Sequence, residues 1–183
     1  MRVLHLVRHG QVSVDFSVPS HEWRLAPDSP ARIESFTERF QDCGLHRVVA
    51  SPEAKARDTG RLIAQVLDLP LEIRDGLEEH HRLVAQQTSG ARAFTDNVRR
   101  FFAQPDEVVF GTESADAARV RFRSAIEAIM QETADDELIV SHGTVITLLT
   151  AEGGNGAPMD IWSSLQLPDH VALDWPSLTR IDR

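Results

Sequence analysis

Cysteine is nearly absent. Cys43 stands alone in 183 residues, which excludes a disulfide framework and a cysteine-ligated metal site. An excess of positive charge is missing too: 19 Lys and Arg face 28 Asp and Glu, a net charge of −9 that argues against a nucleic-acid or anionic-membrane partner. No run of 18 or more apolar residues occurs, and the N-terminus is a short strand-like stretch without a signal peptide's apolar region. A cytoplasmic protein is the expectation. Internal repeats and low-complexity tracts are lacking, and no G-x-G-x-x-G or Walker pattern fits. The "GGNGAP" stretch at 153–158 reads as a turn cluster instead. Any anionic ligand must therefore be held by a local group of cations working against the field of the whole chain.

What remains is an ordinary globule, 42% hydrophobic and 26% charged, with the length of one domain spanning 1–183 and enough chain for a substantial core. Apolar, β-branched stretches predict strands at Val3–Val7, Arg47–Ala50 and Leu138–Val140, with a weaker one at Leu71–Ile73. Helical patterns lie between them, at about 29–40, 52–67, 92–102, 114–132 and 144–151. Strands alternating with helices predict an α/β fold with a mostly parallel sheet covered on both faces. The C-terminal "HVALDWPSLTRID" adds one or two edge strands, broken at Pro176. Residues 11–28 form the longest irregular stretch, of the kind that often carries function.

The segment "LHLVRHGQV" drives an apolar run, Leu4–Val7, straight into Arg8, His9 and Gly10. The same pattern returns as "LIVSHGTV" at 138–145, ending in His142 and Gly143. Ligands of open α/β sheets bind beyond the carboxyl ends of the strands, which puts both imidazoles at that rim. Each following glycine is read as permitting a sharp turn. A third piece comes from the helix entered through Ser51, suited to an N-cap, and Pro52, suited to the first helical position. Lys55, Thr59, Leu62 and Val66 then lie within about 60° of one another, and Arg57 and Arg61 point away. Lys55 is therefore a core-facing lysine near a helix N-terminus, costly unless paired and suited to anions.

Arg8, His9, Lys55 and His142 together suggest a pocket for a small, highly charged anion, most plausibly phosphate. Phosphate monoesters hydrolyse so slowly that a catalyst must supply roughly 20 kcal/mol or more. Cations around the equatorial oxygens and a neutral imidazole in line are suitable means. The leaving alkoxide then needs a proton. "DGLEEHHR", 75–82, offers Glu78 or Glu79 as that acid if the site lifts its pKa. His80 and His81 raise a metal reading, disfavoured because the H-E-x-x-H spacing and cysteine partners are missing.

These motifs resemble the histidine phosphatase superfamily, also called phosphoglycerate-mutase-like or two-histidine phosphatases. "RHG" (8–10) resembles its signature, and "SPEAKARDT" (51–59) is similar to its S-P-x-x-R-A-x-x-T motif. "LEE" (77–79) resembles its L-x-E acid segment, and "SHG" (141–143) its late histidine motif. "EWRL" (22–25) and "GTES" (111–114) fall in the family's order. The resemblance implies a three-layer α/β/α sandwich with no metal or organic cofactor. It makes His9 the nucleophile that becomes phosphohistidine, with Arg8 and His142 binding the phosphoryl group. Glu79 falls on the general-acid position, and the backbone near Gln11 and Thr144 completes the pocket. Lys55 stands where the family usually has arginine, a point charge replacing a planar two-toothed donor. It is kept as a phosphate ligand. The mutases continue R-H-G-E-S-x-W-N, whereas this chain reads "RHGQVSVD".

Hydrolysis of a small-molecule phosphate monoester is the leading expectation. Phosphoglycerate mutase chemistry, a phosphohistidine or other phosphoprotein phosphatase, and a non-catalytic phospho-ligand module are the alternatives. Trp23 and Leu25, with Phe94, Phe101 and Phe102, either line a substrate cleft or pack in the core, the latter favoured. His5 reads as an interior histidine. Oligomeric state is not legible.

Overall fold

The computed structural model describes residues 2–82 and 91–182. Six strands form one sheet: β1 (Arg2–Arg8), β2 (Val48–Ala50), β3 (Leu71–Ile73), β4 (Glu137–Ser141), β5 (Asp169–Trp175) and β6 (Thr179–Ile181), in the order β3-β2-β4-β1-β5-β6. The β3-β2, β2-β4 and β4-β1 pairs are parallel, as the alternating pattern predicts. The C-terminal segment adds an antiparallel hairpin, β5 on β1 and β6 on β5, broken around Pro176.

Period-2 alternation sends successive strand side chains to opposite faces. Leu4, Leu6, Val49 and Ile139 enter one core, and Val7, Val48, Ala50, Leu138 and Val140 enter the other. The second core is roofed by α1 (Ser29–Thr37), which a 3-10 turn continues to Phe40, and by α2 (Ala54–Leu67), through Ile33, Phe36 and Ile63. The first is roofed by α3 (Ala91–Ala103), α4 (Ala115–Gln131), α5 (Gly143–Glu152) and α6 (Pro158–Ser164). Two helix layers around a sheet make the three-layer α/β/α fold.

Three local readings change. The helix expected to begin at Ser51 and Pro52 begins at Ala54, with Glu53 as its extended N-cap. Ser51 is still part of the sheet rim, its N–H donating to the Val140 carbonyl at 3.0 Å. The buried face of α2 keeps Lys55 and Thr59 but runs on through Ala56, Gly60, Ile63 and Ala64, and Val66, expected with them, is exposed. Helix α6 follows the "GGNGAP" turn cluster; Pro158 at its first position is a start signal that a seven-residue helix makes easy to miss. The expected interior histidine is found: His5 is fully buried, its Nδ1 3.0 Å from His170 Nε2.

Candidate active site

Parallel register builds the site. Arg8 pairs with Ser141 across β1 and β4, and Ala50 pairs with Val140 across β2 and β4. The next residues, Ser51, His142 and His9, therefore leave three adjacent strand ends side by side. The rings of His9 and His142 lie 5.3 Å apart at 61°, and His142 Nε2 lies 2.9 Å from Ser51 Oγ.

His9 Nδ1 lies 2.8 Å from the Gly10 carbonyl, which only accepts, so Nδ1 carries the proton. Nε2 then keeps the lone pair of a neutral ring. Burial, with His142, Lys55 and Arg8 around it, holds His9 well below the usual imidazole range. His142 is lowered to about 4, by burial first and by Lys55 and Arg82, against Glu53 and Glu79. Both rings are neutral near pH 7, and His142 Nδ1 is buried without a hydrogen-bond partner.

The two glycines have a reason other than the expected one. Neither has a positive φ. A Cβ on Gly10 would stand 2.8 Å from Ile33 Cδ1, and one on Gly143 would stand 2.9 Å from Arg8 Nε. They make room: the first for α1 under the loop, the second for the guanidinium. Thr59, the threonine that ends "SPEAKARDT", accepts the Gly10 N–H at 3.0 Å and donates to the Lys55 carbonyl, tying α2 to the His9 loop.

Lys55, the chain's only lysine, is buried and paired, as a core-facing ammonium requires. Its Nζ donates to the Ser20 carbonyl at 2.8 Å and to the Glu53 carboxylate. Glu53, which the sequence reading passed over, also accepts the Glu79 N–H at 2.8 Å. Burial pushes the Glu53 carboxyl up, but opposing positive charge holds it at about 2. At neutral pH, where His142 is uncharged, that charge is the ammonium of Lys55.

Glu79 lines the cleft, whereas Glu78 turns to Arg121, 3.6 Å away. The Glu79 carboxylate accepts the N–H groups of His80 at 2.9 Å and Thr144 at 3.1 Å, and Arg82 lies 3.4 Å from it. Burial raises its pKa, yet Arg82, His142 and the two N–H groups outweigh that and hold it well below the carboxylate range. The expected lifting of this acid is not found in the free protein. Arg82 and Arg121, like Glu53, are residues the sequence reading missed. Arg121 donates to the carbonyls of Gly76, Glu78 and Glu79 and to Glu113 of "GTES", holding the acid loop in place.

Arg8, His9, Lys55, Glu79 and Arg82 share a cleft of about 300 Å³, while His142, expected at the same site, is fully buried and not part of its lining. Gln11 and Thr144 do not line it. The Gln11 carbonyl is held by the Ala26 N–H and the Ser29 hydroxyl; Thr144 gives its N–H to Glu79, and its hydroxyl takes a bond from Arg82. Trp23 and Phe94 line the cleft, but Phe101 is core, Phe102 packs on that core, and Leu25 packs on the other one. His80 is buried against Phe101 and Phe110, and the described residues hold no group of three or more His, Cys, Asp or Glu arranged for a metal ion. No helix among them is long and apolar enough to cross a membrane.

The profile of the histidine phosphatase superfamily, branch 1, matches residues 4–178. The chain belongs to that superfamily. No curated protein matches it by sequence. Among solved structures it is similar to Bacillus stearothermophilus YhfR, with a TM-score of 0.74 and 17% identity over 99% of this chain and 95% of that one. It is also similar to a phosphoserine phosphatase from Entamoeba histolytica, at 0.73 and 16% over 99% and 94%. A mycobacterial glucosyl-3-phosphoglycerate phosphatase gives 0.70 and 17% over 96% and 92%. At such identities these likenesses establish the fold.

Buried titratable groups set an acid limit on stability. His142 and His80 are held at about 4 and His170 at about 3, chiefly by burial. Between the unfolded value of about 6.5 and those pKa values the unfolded chain binds protons that the folded chain refuses. Stability is therefore expected to be on its plateau above about pH 6.5 and to fall as pH drops toward 4. Glu53 and Glu79 extend the loss below about 4.5, because their folded pKa values are depressed. Thermal melts from pH 7 to 4 check this; a Tm unchanged between pH 7 and 5 would contradict it.

Proposed function

We propose that this protein is a phosphomonoesterase that works through a phosphohistidine on His9. The observation that carries the reading is the His9 ring in the cleft lining, its Nδ1 proton given to Gly10, no hydrogen bond to its Nε2 among the described residues, and Arg8 and Lys55 lining the same cleft. Nε2 attacks phosphorus, the bond from phosphorus to the ester oxygen breaks, and Glu79 gives that oxygen a proton. A phosphoryl dianion arriving beside Glu79 adds negative charge and raises its pKa, so the carboxylate takes up this proton as substrate binds. Water then attacks the phosphohistidine, Glu79 takes the water's proton, and the N–P bond breaks to release phosphate. Arg8 and Lys55 neutralise the equatorial oxygens. His142 serves them through Nδ1–H when the Ser51 hydroxyl donates to its Nε2. Gln11 and Thr144 contribute indirectly, Thr144 by holding Glu79 and Gln11 by anchoring its loop.

A mutase has to retain its product for rephosphorylation. Val14 and Phe16 of the cleft wall are 52% and 53% exposed, which favours release and hence hydrolysis. The expected partner is a small phosphate ester. We also assign the protein to the cytoplasm, a reading supported by its single cysteine.

The test is a phosphatase screen over many esters with alkaline or neutral quenching, which preserves phosphohistidine. Labelled phosphate on His9 is expected; no turnover and no label from folded protein would overturn the reading. Gly143→Ala gives a subtler check. Its methyl group displaces the Arg8 guanidinium, so kcat/KM is expected to fall roughly 10- to 100-fold through weaker phosphoryl binding. Tm should change little, because alanine favours the first turn of α5. Unaltered inhibition by inorganic phosphate would count against Arg8 as a ligand.

A further inference from the structure

We propose that the substrates are phosphate monoesters of apolar alcohols, small aryl or alkyl compounds whose organic part lies against the aromatic walls of the cleft above His9. The proposal rests on the phosphatase reading of the same site and names its substrate class.

Apart from Arg82, which reaches over the Phe94 ring, charge and greasiness lie in separate parts of this cleft. Arg8, Lys55, Glu79 and Arg82 gather with His9, and the rest of the lining among the described residues is uncharged and, apart from Ser20, apolar. Two aromatic pairs form its walls. Phe16 and Trp23, from the irregular segment after β1, meet edge to face at 6.1 Å, with the indole N–H anchored on the Asp15 carbonyl at 2.8 Å. Phe94 of α3 and Trp162 of α6 lie 6.2 Å apart, and the Arg82 guanidinium sits 4.9 Å over the Phe94 ring. Val12, Val14 and Leu167 complete the apolar lining. The volume, about 300 Å³, is at the small end of the roughly 300–1,000 Å³ of small-molecule sites.

Such walls discriminate by what they do not offer. Away from Arg82, a carboxylate, ammonium or sugar hydroxyl on the organic part would leave water for a surface that is apolar among the described residues. A ring or alkyl chain loses nothing there and gains burial against four aromatic side chains. Phe16 lines the cleft and is 53% exposed among the described residues, an aromatic surface open to a ligand.

The test uses straight-chain primary alkyl phosphates from ethyl to octyl. Their alcohols are nearly equal in acidity, so the bond-breaking step is constant and chain length reads burial alone. The expected result is a rise in kcat/KM of roughly two- to fourfold per methylene over the first few carbons. Phosphoserine and phosphoglycerate are expected to trail hexyl phosphate by roughly 100-fold. Phe16→Ala and Trp162→Ala should flatten the slope. A flat or falling series with turnover intact overturns the substrate class and leaves the phosphohistidine reading standing. A slope that survives both substitutions also overturns it, because these walls would not be its cause. A phosphotyrosine peptide preferred over phenyl phosphate assigns the aryl ester to a protein and rejects the small-molecule class. Absence of turnover and of label on His9 removes both.

Discussion

His9→Ala is expected to lower kcat/KM for every phosphate ester by roughly 10⁴-fold or more, about 5.5 kcal/mol of transition-state stabilisation. The reason is positional. His9 presents the one unengaged imidazole lone pair in the cleft lining among the described residues, because its other nitrogen is tied to the Gly10 carbonyl. His142 does not replace it, being fully buried with Nε2 on Ser51. The proposed phosphate ligands Arg8 and Lys55 survive the substitution, so phosphate is expected to be held while the covalent step is lost. Inorganic phosphate should therefore inhibit wild type and compete for the variant with similar affinity, and labelled phosphate should trap only on wild type. Stability separates the effect from misfolding. His9 is held neutral well below its unfolded pKa, so removing it leaves one proton-binding site fewer in the unfolded chain. The variant is expected to lose less stability than wild type as pH falls below about 6.5. Substantial turnover by folded His9→Ala, above the background of a mock preparation, would overturn the nucleophile assignment.

Glu79→Gln is expected to cost roughly 10²- to 10⁴-fold in kcat for alkyl phosphates. A nitrophenyl ester, whose phenolate leaves unprotonated, should lose far less in the first step. With that ester the second step becomes limiting, because no carboxylate remains to take the proton of the attacking water. Phosphohistidine should then accumulate, seen as a stoichiometric burst of nitrophenol followed by slow turnover. A merely structural role for Glu79 would slow both ester types alike and give no burst. The substitution also has a stability signature. Both carboxylate oxygens of Glu79 accept backbone N–H bonds, from His80 and Thr144, so an amide must turn its NH₂ toward one donor. The loss is about 1–3 kcal/mol, measurable as a lower denaturant midpoint. Equal slowing of the first, phosphoryl-transfer step for the two ester classes, with no burst, would rule out the acid–base assignment.

The elements that announced themselves in the sequence did so for local reasons. Val3–Val7 and Leu138–Val140 are apolar because their strands are buried on both faces, and the abrupt polar residue, His and Gly after each mark the rim where burial ends. Lys55 was visible as a cation on the wrong side of a helix. The helix start at Ser51 misled for a local reason too: its hydroxyl is positioned toward His142, a partner 91 residues away that helix-capping preferences do not register. Arg82 and Arg121 were invisible in the same way, since a guanidinium in a loop or on a helix looks like any solvated charge until its partners are known.

By itself the sequence determined the α/β class, the order of the elements, the two histidines at strand ends and the motifs that resemble the superfamily, because hydrophobic period and short spacing are written in neighbouring residues. Tertiary structure alone decided three things. It put Ser141 opposite Arg8, and so brought two imidazoles to 5.3 Å; it set Glu79 rather than Glu78 in the cleft lining, 3.4 Å from Arg82; and it turned the glycines from hinges into clearance for Ile33 and Arg8. Each depends on distance between residues far apart in the chain, which register and packing set once the sheet has formed.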